Sequence, residues 1–137
     1  MNVLIVGARG AGKTTLIRRV LESLGRPVSG FETEKEGDQV HIYDAGAEHV
    51  PTEENLVGLC GETRGFPVKE GFDRYAPRIL APVKAGSVMI MDELGYLESS
   101  SELFCRAVLE RLGGRGPVIA AVKDRDTAFL SSVRSHP

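Results

Sequence analysis

The residues with the clearest chemical potential lie near the amino terminus, where Gly7 to Thr14 read G-A-R-G-A-G-K-T. This run fits the pattern G-x-x-x-x-G-K-[S/T], in which glycines let successive backbone N–H groups point at one anion. Lys13 is then expected to reach the β- and γ-phosphates of a nucleotide, and the Thr14 hydroxyl to hold Mg²⁺. The pattern predicts binding of ATP, GTP or another nucleoside triphosphate through Gly7, Ala8, Arg9, Gly10, Ala11, Gly12, Lys13, Thr14 and Thr15.

The neighbouring sequence predicts that this loop joins a buried strand to a helix. The apolar run Val3–Val6 precedes it, and a helix is expected over Lys13–Leu24, with Gly25 just after its end. The positive end of the helix dipole would then add to the attraction for phosphate. The alternative is a chance glycine-rich turn, which would need neither the strand before it nor the helix after it.

A second candidate site segment is the apolar run Val88–Met91, which ends in Asp92 and Glu93. Open α/β sheets bind ligands at the carboxyl ends of their strands, which would bring these acids to the phosphate loop. Asp92 is expected to hold Mg²⁺ through a water, and Glu93 to orient or deprotonate the water that attacks the γ-phosphate. The alternative is that both residues cap the helix that follows.

The remaining segments indicate an α/β fold, because continuous apolar strands alternate with helices. A hairpin is expected over 28–44, an irregular stretch over 45–71, and a proline-interrupted helix over 72–84. Later segments predict a helix with a capping box at Ser99 and Glu102, a strand over Val118–Val122, and a short helix capped by Asp126.

Composition restricts the class of protein. A length of 137 residues suits one domain, and a net charge of −2 gives no broad basic surface, so nucleic acid is not an expected partner. The apolar runs are too short to span a bilayer, and Met1 leads directly into the first strand without a signal peptide. Cys60 and Cys105 lack a CxxC partner and read as reduced thiols, which predicts a cytoplasmic protein.

Three segments resemble the broad-specificity nucleoside-triphosphatases first described from thermophiles, a family that includes a human cancer-related member. They are the phosphate loop with the T-L-I-R-R that follows, Gly30–Glu34 (similar to G-F-x-T-E), and Met91–Glu98 (similar to I-D-E-I-G-K-M-E). The similarity extends from about Asn2 to Arg125. It implies a P-loop NTPase fold, a mainly parallel sheet covered by helices on both faces with a β-hairpin addition. It also implies Mg²⁺-dependent hydrolysis of nucleoside triphosphates with broad base specificity.

The chain departs from that family in two places. Tyr96 stands where the family has a lysine, which removes a positive charge near the acids. Family members continue past the last helix into another strand, whereas this chain stops at Pro137. The sequence therefore predicts a single domain without that strand, with an exposed sheet edge, weak activity, and self-association into a homo-oligomer or low stability.

Arg64 lies in the glycine-rich run Gly61–Phe66 and is a candidate to stabilise charge on the γ-phosphate. A solvated surface arginine is the alternative reading. Two other functions also remain open. A small nucleotide or metabolite kinase would need an acceptor pocket and an arginine-bearing lid, and a non-catalytic nucleotide-binding accessory protein would bind without turnover.

Overall fold

Residues 2–7 and 12–136 are described by a computed structural model, and they form a seven-stranded sheet with helices on both faces. The strands are β1 (Asn2–Gly7), β2 (Val28–Glu36), β3 (Gln39–Asp44), β4 (Leu56–Cys60), β5 (Gly65–Pro67), β6 (Val88–Leu94) and β7 (Val118–Lys123). The helices are α1 (Lys13–Leu24), α2 (Lys69–Ile79), α3 (Glu102–Leu112) and α4 (Ala128–Arg134), and a 3₁₀ turn, Leu97–Ser100, precedes α3.

The sheet has the strand order β1-β7-β6-β2-β3-β4-β5. The first four strands of this order are parallel, and β2, β3, β4 and β5 pair antiparallel. Gly7 pairs with Lys123 and Glu32 pairs with Asp92, so the carboxyl ends of β1, β7 and β6 meet beside the middle of β2. The β2–β3 hairpin continues past these carboxyl ends and forms one wall of the space above them.

Alternating side chains of the central strands build two cores. Val88 and Ile90 of β6 pack with Ile17 of α1 on one face. Met89 and Met91 of the same strand pack on the opposite face, in a cluster to which α2, α3 and α4 contribute. Both faces of the parallel strands are therefore covered, as their continuous apolar runs require.

The predicted fold class is confirmed, together with α1, its Gly25 cap, the β2–β3 hairpin and β7. The prediction of an irregular stretch over 45–71 was wrong, because β4, β5 and the start of α2 lie there. The glycines and proline of β4 and β5 are residues typical of turns, so the sequence did not indicate strands there. Pro67 is tolerated in β5 because this strand lies at the end of the strand order, where proline does not interrupt a central ladder.

Three helix boundaries also differ from the prediction. Helix α2 starts at Lys69 and contains Pro77. Helix α3 is capped by Ser101, which accepts a hydrogen bond from the Phe104 N–H, and not by the predicted Ser99. Helix α4 is capped by Thr127 and not by Asp126. None of the described helices has the length and apolar character needed to cross a membrane.

Candidate functional site

The first part of the site is the junction between β1 and α1. Gly12 has a φ of 84°, a left-handed conformation that favours glycine, and Lys13 directly after it begins α1. The Lys13 ammonium is buried, donates a hydrogen bond of 2.7 Å to the Gly7 carbonyl and lies 3.1 Å from a Glu93 carboxylate oxygen. Lys13 therefore connects the phosphate-loop strand to the end of β6.

The four central loop residues, Ala8, Arg9, Gly10 and Ala11, lie outside the described residues, so their predicted contacts with phosphate stay predictions. The carbonyl of Gly7 also accepts a hydrogen bond of 3.2 Å from the Asp124 N–H. The described ends of the loop are thus fixed to β7 on one side and to the start of α1 on the other.

The predicted metal-binding pair lies together as expected from the sequence. The Thr14 hydroxyl donates a hydrogen bond of 3.2 Å to an Asp92 carboxylate oxygen. Burial raises the pKa of Asp92, and the nearby carboxylates of Glu93 and Glu32 add to this, while the Thr14 hydrogen bond opposes it. A nearby cation would stabilise the charged form of this buried carboxylate. The carboxylate and the Thr14 hydroxyl both offer oxygen atoms, which are the ligands that hard cations such as Mg²⁺ take.

Glu93 projects toward Lys13, at the start of α1, and not toward the start of α3. Its carboxylate also lies 3.9 Å from the Lys123 ammonium, and its N–H donates to the Thr33 hydroxyl at 3.3 Å. Ser101 caps the next α-helix, so the alternative in which Asp92 and Glu93 cap that helix does not describe this fold. Two lysines from different elements therefore face one carboxylate at the carboxyl end of β6.

A histidine that sequence reasoning did not place bridges Glu32, the neighbour of Asp92 on β2, and Glu34. The two ring nitrogens of His49 lie 2.8 Å from Glu32 and 2.7 Å from Glu34, and its ring stacks on Tyr43 at 4.2 Å. The hydrogen bond to Glu34 is the largest of the effects that raise the pKa of His49. The alternation of Glu32 and Glu34 indicated a shared face, but nothing in the spacing of His49 indicated this contact.

A cavity of about 600 Å³ lies on the other side of Glu93, between the Cys60–Gly65 turn and the residues that follow β7. Arg64 lines this cavity, with its guanidinium 4.9 Å from the centre of the Phe66 ring. The Tyr96 hydroxyl accepts a hydrogen bond of 2.9 Å from the Gly65 N–H, which connects the turn to the segment that follows β6. Tyr96 is thus a structural link between the two walls.

Two cationic side chains lie over the ring of Tyr96, the residue that stands where the resembled family has a lysine. The Arg125 guanidinium lies 4.5 Å from the centre of the Tyr96 ring, and the Lys123 ammonium lies 5.7 Å from it. Both are within the range of cation–π attraction. The predicted loss of a positive charge near the acids is therefore offset by two cations from the end of β7.

Glu98 forms part of the cavity wall and is almost fully buried. Its carboxylate accepts a hydrogen bond from the Gly95 N–H, which closes the turn between β6 and the 3₁₀ segment. Burial raises the pKa of Glu98 to about 7, against the smaller effects of the Gly95 N–H and Lys123. This carboxyl group is therefore partly protonated near neutral pH.

Comparison with known proteins connects this geometry to a family. A family model described as NTPase matches residues 2–137. The nucleoside-triphosphatase THEP1 of Aquifex aeolicus is 30% identical over 123 residues, an alignment that spans 76% of this chain and 66% of that protein. The human cancer-related nucleoside-triphosphatase is 27% identical over 161 residues, spanning 98% of this chain and 83% of that protein.

Solved structures give the same result at the level of the fold. The crystal structure of THEP1 from Aquifex aeolicus superposes with a TM-score of 0.78 at 23% identity, covering 100% of this chain and 86% of that one. The solution structure of the human protein gives a TM-score of 0.65 at 25% identity, covering 97% and 82%. Both similarities extend over nearly all of this chain.

Proposed function

The chain belongs to the NTPase family, and we propose that it hydrolyses nucleoside triphosphates to diphosphates and phosphate in a Mg²⁺-dependent reaction. Family membership confirms the predicted class of activity, nucleoside triphosphate hydrolysis. The observation that supports the mechanism is the pairing of Lys13 with Glu93 and of Thr14 with Asp92 at the carboxyl ends of the central strands. We further propose a single domain over residues 1–137 and a cytoplasmic location, which suits the two free cysteines.

The chemical step follows from what each side chain does. A water oxygen attacks the γ-phosphorus, the bond from that phosphorus to the β–γ bridging oxygen breaks, and the diphosphate leaves with the electron pair. Glu93 is the carboxylate in position to take the water proton, because it lies at the end of β6 beside Lys13. Lys13 and the loop N–H groups neutralise the phosphate oxygens, since phosphoryl transfer needs mainly positioning and charge stabilisation.

The phosphate oxygens would take the place of Glu93 beside the Lys13 ammonium. In this chain the ammonium is already held by the Gly7 carbonyl at 2.7 Å, which keeps it at the mouth of the loop. Loss of its contact with Lys13 leaves Glu93 with Lys123 at 3.9 Å and frees a carboxylate oxygen to accept a hydrogen bond from the attacking water. Substrate binding and activation of Glu93 are thereby linked through one lysine.

The residues at the end of β6 fit Mg²⁺. Thr14 and Asp92 supply two oxygen ligands or water-mediated contacts, and Mg²⁺ in nucleotide sites takes its other ligands from phosphates and waters. Within residues 2–7 and 12–136, no group of three His, Cys, Asp or Glu residues is arranged to hold a metal without a nucleotide. The ion would supply charge stabilisation for the phosphates, and Thr14 and Asp92 would orient it.

Arg64 is our candidate for additional charge stabilisation, because it lines the cavity that Glu93 faces. Its stacking on Phe66 keeps it on the wall of that cavity, so a movement of the Cys60–Gly65 turn would be needed for contact with the γ-phosphate. Hydrolysis should therefore be slow, because arginine fingers contribute a factor on the order of 10³–10⁵ where they are in place. We also propose broad base specificity, since no guanine-reading N-K-x-D follows β7.

Phosphate release from ATP, GTP, CTP and UTP, with and without MgCl₂ and without any acceptor, tests this function. Lys13→Ala should abolish nucleotide binding and turnover while the protein stays folded, because Lys13 is the lysine of the loop. Lys84→Ala is the matched control, since Lys84 is exposed and lies in the loop before β6, at the opposite end of the sheet. Acceptor-dependent transfer would indicate a kinase instead, and tight binding without turnover an accessory protein.

A further inference from the structure

The cavity beyond Glu93 includes none of the described residues of the phosphate loop. Glu93 lines it, but Gly12, Lys13 and Thr14 do not. If Lys13 contacts the β- and γ-phosphates, this cavity opens on the side of Glu93 from which water attacks. The phosphate released by hydrolysis therefore enters this cavity first. This step of the inference rests on the proposed function.

Three cations on the cavity wall have no carboxylate within ion-pair distance in the part of the chain that the structure describes. They are Lys35 of β2, Arg64 of the turn and Arg125 after β7. The two arginines lie instead on the rings of Phe66 and Tyr96. A guanidinium that lies over a ring at this distance can still donate from its N–H groups, and two of them can bind a phosphate group with parallel hydrogen bonds.

The acids of the cavity do not cancel these cations. Glu93 is paired with Lys13 and lies near Lys123. Glu98 is partly neutral near pH 7, because burial raises its pKa to about 7. Glu62 and Asp124 are exposed, as are Lys35, Arg64 and Arg125, so solvent screens the two acids and the three cations alike. Because Glu93 is paired with Lys13, the three cations outnumber the two exposed acids and the cavity wall keeps an excess of positive charge.

We propose that this cavity binds a phosphate group separately from the triphosphate loop. The phosphate comes either from the reaction itself, as inorganic phosphate, or from a small phosphate monoester. A volume of about 600 Å³ exceeds what inorganic phosphate fills, so both sources fit. Bound phosphate occupies the side of Glu93 that water must approach, and it therefore inhibits hydrolysis while the nucleotide remains in the loop.

Steady-state hydrolysis of ATP in the presence of inorganic phosphate, at constant ionic strength, tests the proposal. Phosphate should lower kcat, because it binds while ATP occupies the loop. Arg125→Gln and Lys35→Gln should each raise the inhibition constant about fivefold to tenfold through loss of a charged hydrogen-bond donor. Lys35→Gln, which alters no group of the proposed catalytic step, should leave activity without phosphate unchanged. Arg115→Gln is the control, since Arg115 is exposed at the opposite end of the sheet, before β7.

Binding measured without turnover separates this proposal from the function itself. Titration of inorganic phosphate, followed by ³¹P NMR, into the Lys13→Ala protein should still show binding, and Arg125→Gln in that background should weaken it. A parallel titration with glycerol 3-phosphate identifies the source: tighter binding of the ester indicates a monoester ligand, and equal or weaker binding indicates product phosphate. Purely competitive inhibition by phosphate, with binding lost in Lys13→Ala, would overturn the proposal whether or not the protein hydrolyses ATP.

Discussion

At the scale of single residues, the two acids near the end of β6 have different surroundings, which supports the different roles proposed for them. Asp92 is buried against Thr14, with Glu32 of the neighbouring strand beside it. Glu93 is about a quarter exposed and faces Lys13.

The first prediction separates these two roles. Glu93→Gln should retain nucleotide binding and lower kcat on the order of 10²–10⁴-fold, because the group that takes the water proton is lost. Asp92→Asn should instead raise the Mg²⁺ concentration needed for half-maximal rate. Both are measured by phosphate release at varied MgCl₂. Glu110→Gln, an exposed acid on α3, is the control and should behave as the parent. A Glu93→Gln protein as active as the parent would refute the assignment.

A second prediction concerns Glu98, whose pKa is raised by burial from 4.5 to about 7. Between these values the unfolded chain releases the proton while the folded protein keeps it, so the free energy of unfolding falls as pH rises and levels off above about pH 7. Glu98→Gln removes this penalty and can still accept the Gly95 hydrogen bond. It should therefore gain stability over the parent, by up to roughly 3 kcal/mol at about pH 8 and little at about pH 5.

Urea unfolding of the parent and of Glu98→Gln at several pH values measures this difference. Glu110→Gln, with an exposed carboxyl, should show no such pH dependence. A stability difference between Glu98→Gln and the parent that stays constant from about pH 5 to about pH 8 would mean that Glu98 does not keep its proton in the folded protein.

The sequence predicted that Thr14 and Asp92 would act together, and the structure places their side chains in contact, while their role in binding Mg²⁺ stays a prediction. The contact of Lys13 with Glu93 was not predicted from the sequence. The contact of His49 with Glu32 was not predictable, because it joins a loop to a strand across 17 residues of a segment without periodicity. The cations around Tyr96 were not predictable either, because β7 becomes a neighbour of β6 only through the sheet order.

At the scale of elements, the sheet order explains how the site is assembled. Strand β7 lies between β1 and β6, so its last residue, Lys123, lies near Glu93, and Asp124 directly after it donates a hydrogen bond to Gly7. In β2, Gly30 has a φ of 98°, and a Cβ there would lie 1.9 Å from the Ile90 carbonyl oxygen. The glycine of the G-F-x-T-E segment therefore permits the close approach of β2 to β6 that brings Glu32 beside Asp92.

The errors in predicting elements have a common physical cause. The segment 96–102 contains several residues that can cap a helix, and local sequence does not decide which serine does so. The 3₁₀ turn Leu97–Ser100 takes up the predicted cap Ser99, and α3 begins after Ser101. The burial of Ser101, which also donates to Asp73 of α2, depends on the packing of α2 against α3.

The third prediction compares these two serines. Ser101→Ala should lower the free energy of unfolding by about 1–2 kcal/mol, because the Phe104 N–H loses its acceptor. Ser99→Ala should change the free energy of unfolding by less than about 0.5 kcal/mol, because Ser99 is exposed and caps no α-helix. Urea unfolding of the two variants measures both values. Equal losses would show that the predicted capping box, and not Ser101, begins the helix.

At the scale of the whole molecule, the sheet has one edge beside the active site. Strand β1 pairs with β7, and no strand pairs with its other side within residues 2–7 and 12–136. Val3 and Val6 of β1 are 43% and 45% exposed, whereas Ala120 and Ala121 of β7 are fully buried. Unpaired backbone groups beside exposed apolar side chains tend to pair with another chain.

The last prediction is therefore that the 137-residue chain self-associates through β1. Sedimentation at micromolar concentrations should show a concentration-dependent increase in mass, and Val3→Lys should reduce it, because a charge on an edge strand opposes pairing. Val50→Lys is the matched control, since Val50 is 54% exposed but lies outside the strands. Since β1 leads directly into the phosphate loop, association should also change nucleotide turnover per chain. A parent protein that sediments as a monomer at every concentration, with turnover proportional to protein, would show that the edge of β1 recruits no second copy.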